Sequence, residues 1–168
     1  MSTATPRPLT LLRVDFADLY ARHLCRHSQF GINVSHLAAL FGVWYGIYGA
    51  VYWLLPYPAV PVALAGAYLL LVALNSPPRV IMATAGFLAL FVAAVLWLPA
   101  LPVWAYLLLL PVCYKLQSWS HRLFRAESDM TEFNKRYPKG FWLSVVLLVY
   151  EVPMVLNYLL FDRKHWRA

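Results

Sequence analysis

Long apolar runs are the feature that most limits what this chain can fold into. Stretches of close to 20 apolar residues recur from Ser35 onward, and about 20 residues of helix are needed to cross the ~30 Å hydrocarbon layer of a membrane. Of the 168 residues, 62% are hydrophobic and only 12% are charged, which is far from the composition of a soluble protein. Because a spanning backbone must satisfy its own polar groups, the sequence predicts a single all-α, polytopic integral membrane domain over residues 1–168.

Prolines and polar residues divide this domain into segments. A helix over 12–28 is predicted to lie in the membrane interface, because its apolar and charged residues occupy opposite faces. Gly31, Asn33 and Ser35 predict a break, with Ser35 as the N-cap of the first span. The predicted spans are 35–55, 59–75, 80–98 and 103–118, and the last of these is predicted to continue as a helix toward Phe124.

The remaining third of the chain contains a charged segment and one more apolar segment. Segment 119–140 is predicted to be cytoplasmic, and Asp129 and Glu132 are spaced as in the capping box of a short helix. Segment 141–161 is long enough to span. Two interpretations stay open: it is a fifth span, or it re-enters the membrane and is broken near Pro153.

Basic residues determine the predicted orientation. If four spans precede Phe141, three sets of basic residues fall on the same side of the membrane. These are the arginines of the N-terminal region, Arg79, and the six basic residues of segment 115–139. This predicts a cytoplasmic N-terminus and a cytoplasmic 115–140 segment, in either a bacterial inner membrane or the endoplasmic reticulum. A fifth full crossing would place the basic tail residues Arg163, Lys164 and Arg167 outside, against the charge rule. Re-entry of segment 141–161 would keep them inside. The two interpretations are therefore given equal weight.

Net charge, cysteine content and the first residues limit which partners and which processing steps the sequence predicts. The formal net charge is +7, but these charges flank the apolar runs, which indicates orientation in a membrane and not binding of nucleic acid. Cys25 and Cys113 are far apart and are predicted to be unpaired thiols. The stretch Met1–Pro8 lacks an apolar core and does not resemble a cleaved signal. The sequence indicates no oligomeric state.

Histidines predicted at one membrane face form the candidate site. His23 and His27 lie four residues apart, so their imidazoles project from one helix face and offer two ligands to a metal ion. His36 joins them if the chain folds back at the predicted break, and His121 follows the fourth span at a similar depth. Imidazoles with few carboxylates favour iron, zinc or copper. The alternative is a purely interfacial role, which is also the interpretation of His165.

Glu151 is a second candidate because it lies near the middle of an apolar segment. A charged group at that depth costs ~2.5–3.5 kcal/mol on insertion scales unless it is protonated or partnered. One interpretation is therefore functional. The other is structural: the carboxyl satisfies backbone groups that Pro153 leaves unpaired, with Asn157 nearby.

Two segments resemble a family of small membrane dioxygenases. They are Tyr20-Ala21-Arg22-His23-Leu24-Cys25-Arg26-His27, followed by Asn33 and His36, and Gln117-Ser118-Trp119-Ser120-His121. The family comprises the iron-dependent 2-hydroxy fatty acid dioxygenases of the endoplasmic reticulum, which act in phytosphingosine breakdown, and their bacterial relatives. The intervals between His27 and His36 and between Gln117 and His121 match the family pattern. Asn33 sits one place late, Arg125 stands where an acidic residue is expected, and the nearest acid is Glu127.

This resemblance implies both a site and a reaction. The implied Fe(II) ligands are His27, His36, His121 and, as a possible fourth, His23. The implied catalytic residues are Gln117 and Glu127. The implied reaction uses molecular oxygen to remove one carbon from a long-chain 2-hydroxy fatty acid, whose tail would lie among the spans. Basic residues expected near its carboxylate are Arg22, Arg26 and Arg122.

Other classes of membrane protein remain as alternatives. Membrane di-iron desaturases and hydroxylases need three histidine boxes, and the five histidines present here are too few. A non-enzymatic small carrier that uses Glu151, or an assembly factor that uses segment 115–139, would bind no stoichiometric iron. Metal content therefore separates the enzyme from the non-enzymatic classes.

Overall fold

Most of the chain that the structure describes is helical. A computed structural model describes residues 10–124, 131–137 and 140–166. The helices are α1 (Phe16–Arg26), α2 (Phe30–Leu54), α3 (Ala59–Ala73), α4 (Pro78–Trp97), α5 (Val103–Leu123), α6 (Thr131–Arg136) and α7 (Phe141–Phe161), followed by a 3-10 turn at Arg163–His165. The predicted all-α class is confirmed.

The lengths of the helices agree in part with the predicted spans. Among the described residues, α2, α4 and α7 are long and apolar enough to cross a membrane. The apolar helix α3 has only 15 residues, because Asn75, Ser76 and Pro77 end it. Helix α5 runs to Leu123, as the predicted extension toward Phe124 required. A short helix is present at Thr131–Arg136, whereas Asp129 lies outside the described residues.

The chain turns earlier than the sequence predicted. Helix α1 ends at Arg26 and α2 begins at Phe30, so the break expected at Gly31–Asn33 is wrong. Ser35 is not an N-cap either: it lies inside α2, and its hydroxyl donates to the Gly31 carbonyl over 2.9 Å. Gly31 fits within α2 because the Phe124 ring packs onto it, 2.3 Å from where a Cβ would lie.

Helices α2 and α5 pack in close contact along a row of glycines. An added Cβ would lie 2.4 Å from the Cys113 sulfur at Gly42 and 2.6 Å from the Tyr106 backbone oxygen at Gly46. At Gly49 it would lie 2.2 Å from the Tyr106 ring. Small residues at such spacing let two helix backbones approach closely. The row fixes α2 against α5, and each of these helices carries one candidate histidine.

Helix α7 is continuous through Pro153, so of the two interpretations of segment 141–161 the one that requires a break near Pro153 is wrong. Both of its ends lie at the end of the bundle where α1 packs. Just before α7, the Tyr137 hydroxyl donates to the Asp18 carboxylate of α1. At the last residue of α7, the Phe161 ring lies under the Arg79 guanidinium at the start of α4. The distance from the ring centroid to Arg79 Cζ is 5.5 Å. Helix α7 therefore begins and ends on one side of the bundle.

The middle of α7 is buried at that same end. Val146, Tyr150 and Met154 pack against α1 and the start of α4 in one apolar cluster. The Tyr150 hydroxyl lies 2.7 Å from the Asn75 amide nitrogen, just after α3. Both cysteines are free thiols, as predicted. The core of this end thus forms around α7, which also closes the site described next.

Candidate metal centre

Three histidines from three different elements meet at this end of the bundle. His27 directly follows α1, His36 lies in the second turn of α2, and His121 lies in the last turn of α5. Their potential ligand nitrogens all lie within 4.8 Å of one another. His27 and His36 are buried and His121 is partly buried. Three imidazoles at this spacing are able to hold a metal ion.

Hydrogen bonds to backbone carbonyls orient two of these imidazoles. His36 Nδ1 lies 2.9 Å from the Ile32 carbonyl oxygen, and His27 Nδ1 lies 3.3 Å from the His23 carbonyl oxygen. A carbonyl only accepts hydrogen bonds, so Nδ1 carries the proton in both neutral rings and Nε2 presents a lone pair. Ser120 adds a second partner to His36, with its hydroxyl oxygen 3.2 Å from Nδ1. Partners of this kind orient metal-ligating histidines.

The two free Nε2 atoms face each other at 3.3 Å. With both protons held on Nδ1, neither nitrogen donates to the other, so the contact brings two lone pairs together. A shared cation resolves that repulsion. Two imidazole nitrogens that each lie about 2.1 Å from one metal ion at a tetrahedral angle are separated by roughly 3.4 Å, close to the distance observed. The donor set and its spacing therefore fit a transition-metal ion.

His23 lies beside these three histidines and is engaged elsewhere. Its ring stacks on His27 with centroids 4.2 Å apart, and its Nε2 lies 2.8 Å from the Asn33 side-chain oxygen. The Asn33 amide also donates to the His27 carbonyl over 2.6 Å. The structure thus places His23 next to the ligand group and not in it, and Asn33 ties the turn between α1 and α2 together.

Burial keeps the imidazoles near α1 neutral. Desolvation lowers the pKa of His23 to about 4 and lowers the pKa of His27 further below its ordinary value. The neighbouring histidines and Arg22 add to the decrease for His23, against an opposing hydrogen bond from Asn33. A neutral imidazole is the form that binds metal, so His27 is ready to act as a ligand at neutral pH.

The histidines open onto a cavity of about 350 Å³. Its walls come from α1, α2, α5 and α7 and include Arg22, His23, Arg26, His27, His36, Tyr114, Gln117, Ser118, His121, Leu147, Glu151 and Met154. Glu151 is the carboxylate among them, and its Oε1 lies 3.8 Å from His36 Nε2. A cavity of this size accommodates part of a small molecule or a lipid, and its two guanidinium groups favour an anionic one.

The predicted site residues fall into three groups. Gln117, Arg22, Arg26 and Glu151 line the cavity together with the four histidines. Arg122 is exposed on α5 and does not line it, and His165 lies elsewhere, with Nδ1 2.7 Å from the Asp162 carboxylate. Glu127 lies outside the described residues.

Several residues of the site were not found by sequence reasoning. Ser120, Tyr114 and Ser118 carry no spacing signal that distinguishes them from other polar residues of α5. Leu147 and Met154 read as ordinary apolar residues of a span. Only the packing of α7 across the end of the bundle turns them into cavity walls.

Comparisons with protein-family models, with curated proteins and with solved structures found no match to this chain. The resemblance of its short motifs to the 2-hydroxy fatty acid dioxygenases therefore stays a prediction, and the site itself carries the functional argument.

Proposed function

We propose that this chain is a membrane-bound, metal-dependent oxygenase that acts on a lipid, and specifically an iron(II) dioxygenase that shortens long-chain 2-hydroxy fatty acids by one carbon. One observation carries the proposal. Three histidines have potential ligand nitrogens close enough to share one metal ion, and they line a cavity that two arginines also line. The resemblance of the motifs around His27, His36 and His121 supplies the identity of the metal and the substrate.

The shape and charge of the cavity support an anionic lipid as the substrate. Arg22 and Arg26 lie one turn apart on α1, and both line the cavity, so they can hold a carboxylate. Leu147 and Met154 supply an apolar wall from α7. A 2-hydroxy acid with its carboxylate on the arginines would place its first two carbons near the histidines and its tail toward the apolar helices.

The overall reaction balances with oxygen as the only oxidant. It is R–CH(OH)–COOH + O₂ → R–COOH + CO₂ + H₂O, so the bond between the first and second carbons breaks. Iron(II), when bound, supplies the open positions at which a hydroxy acid and oxygen are activated. The residues of the chain orient the substrate: the arginines hold the carboxylate, Gln117 offers an amide to the 2-hydroxyl group, and Glu151 is positioned to accept a proton from it.

Metal content is the first test of this proposal. Detergent-purified protein, prepared without oxygen and supplied with iron(II), should contain close to one iron per chain by inductively coupled plasma mass spectrometry. The variants His27→Ala, His36→Ala and His121→Ala should each lose it, because a three-histidine site without one ligand binds weakly. His165→Ala is the matched control and should keep the metal, since His165 lies away from the cavity.

Oxygen consumption then tests the substrate. The iron-loaded protein should consume oxygen with 2-hydroxypalmitic acid and release a carboxylic acid shorter by one carbon, while palmitic acid, which lacks the hydroxyl group, should give neither. Absence of stoichiometric transition metal in the parent protein would refute the oxygenase proposal. It would favour the non-enzymatic carrier or assembly factor instead, for which Glu151 would be the first residue to substitute.

A further inference from the structure

The cavity beside the histidines reaches the surface at two places. Ten of its twelve lining residues are buried or partly buried, and the two exposed ones are Arg26 and Tyr114. Arg26 is the last residue of α1. Tyr114 lies near the middle of α5, where its side chain is 66% exposed. These two residues mark where the cavity opens.

The two openings lie at different depths in the membrane. Helix α1 is the predicted interfacial helix, so the opening at Arg26 faces water. Tyr114 precedes His121 by seven residues, about 10 Å along the helix axis, in the direction of the predicted fourth span. The exposed α5 residues on that side of Tyr114 are apolar: Leu107, Leu108, Pro111 and Val112. Lys115 follows Tyr114 and can extend its ammonium group to the headgroups, so the opening at Tyr114 lies at the edge of the hydrocarbon layer.

The wall that α7 contributes between the two openings is mostly apolar. Leu147 and Met154 line the cavity one turn before and one turn after Glu151. They form the wall together with a stripe of α5 that begins at Tyr114 and ends at His121. A chain that starts at the arginines can therefore pass the histidines and follow this wall to Tyr114.

A long acyl chain does not fit inside this cavity. The volume of about 350 Å³ is near the lower end of the ~300–1,000 Å³ found for sites that enclose a whole small molecule. The remainder of the chain must leave through one of the two openings. Each methylene that moves from hydrocarbon into water lowers the affinity about fourfold, which disfavours the opening at Arg26.

We propose that the acyl chain of the substrate leaves the cavity past Tyr114 and stays in the bilayer while the arginines hold its carboxylate. The inference rests on the lipid acid substrate proposed above and defines its class. The site selects the carboxylate and the 2-hydroxyl group, and it accepts any chain long enough to pass Tyr114. The substrate enters sideways from the membrane and does not cross water.

Binding of acids of different chain length in a bilayer tests this path. The full chain in lipid nanodiscs is labelled, without oxygen, by 2-hydroxypalmitic acid that carries a diazirine on its chain. The competitors are 2-hydroxylauric, 2-hydroxymyristic and 2-hydroxystearic acids at equal mole fractions in the bilayer, and intact mass reports the labelled fraction. We expect their affinities to agree within about twofold, because the added methylenes lie in hydrocarbon both before and after binding.

Other results of this series would overturn the proposal. A closed pocket would bind 2-hydroxylauric acid and reject 2-hydroxystearic acid. A tail that leaves at Arg26 would lower the affinity about fourfold with each added methylene. Labelling that none of the acids reduces would show that they have no site here.

Variants at the opening assign the path to Tyr114. Tyr114→Glu places a charge on the path of the chain and should weaken 2-hydroxypalmitic acid by at least about fourfold, the contribution of one buried methylene. Tyr114→Phe should bind as the parent does. Trp119→Glu is the matched control, because Trp119 is an exposed aromatic residue of α5 that does not line the cavity. Unchanged binding in Tyr114→Glu, or an equal loss in Trp119→Glu, would refute the path.

Iron content and oxygen consumption of the same preparation separate this inference from the oxygenase proposal. Equal affinities across the series without iron or turnover would support the lipid path and refute the oxygenase. Affinities that depend steeply on chain length, in protein that holds iron and consumes oxygen, would refute the path alone.

Discussion

Replacing Gly46 by Ala should separate α2 from α5 and destabilise the protein. The added Cβ would lie 2.6 Å from the Tyr106 backbone oxygen and 3.3 Å from side-chain atoms of Leu109 and Leu110. The first distance is 0.4 Å below the 3.0 Å that real Cβ contacts respect. A backbone carbonyl in a helix cannot rotate away, so the two helices must move apart. Overpacking of this kind costs about 1–3 kcal/mol.

The separation should also reach the metal centre. His36 is carried by α2 and His121 by α5, so a shift of a few tenths of an ångström between the helices changes the distance between these two ligands. Metal sites tolerate about 0.2 Å in ligand distance. Gly46→Ala should therefore retain iron less well than the parent when a chelator competes.

Thermal unfolding in detergent, followed by circular dichroism, measures the effect. We expect the midpoint to fall by roughly 2–12 °C. Gly66→Ala and Gly86→Ala are matched controls, because an added Cβ meets nothing within 4 Å at either position. They should be neutral or slightly stabilising, since Ala favours a helix over Gly by about 0.5–1 kcal/mol. A Gly46→Ala protein as stable as these controls would refute the close contact between α2 and α5.

Three further predictions follow from the same end of the bundle. Burial lowers the pKa of His23 to about 4 in the folded protein, whereas the pKa in the unfolded chain is near 6.5. The neutral ring therefore contributes to the stability of the metal-free fold above pH 6.5. This contribution, about 3 kcal/mol at most, is lost as the pH falls through 4. His23→Gln should show a smaller drop in thermal midpoint over that range, and an equal drop would contradict the assignment. Asn33→Ala removes the bonds to His23 and to the turn before α2, so iron retention against a chelator should weaken by about 10- to 100-fold; unchanged retention would show that Asn33 does not hold the ligands in place. Finally, with both ends of α7 on one side, single cysteines at Lys164 and Arg79 in an otherwise cysteine-free chain should react with an impermeant reagent from the same membrane side, and a cysteine at Tyr57 from the other. Labelling of positions 164 and 57 from one side would mean that α7 crosses.

The all-helical class was predictable because the evidence for it is local. Apolar run length and proline placement determine α3, α4 and α5, and these helices begin close to the predicted positions. The error at the start of α2 has a tertiary origin. Gly31 and Asn33 look like a helix break in sequence, but the Phe124 ring fills the space above Gly31 and the Asn33 side chain binds the preceding turn.

The candidate site was predictable only where spacing carried information. The distances from His23 to His27 and from His27 to His36 suggested a shared site, and His121 was assigned by its depth after the fourth span. Which of the four rings form the ligand group depends on hydrogen bonds that no spacing reveals: Asn33 engages His23, whereas backbone carbonyls orient His27 and His36.

The position of α7 across one end of the bundle has a consequence for the order in which the protein matures. Its residues are translated after all three histidines of the ligand group, yet it supplies the Leu147, Glu151 and Met154 wall of their cavity. During synthesis, helices α1 to α5 are complete while this wall is still missing. A metal ion that bound at that stage would meet an open site on the nascent chain, and docking of the last helix would enclose it.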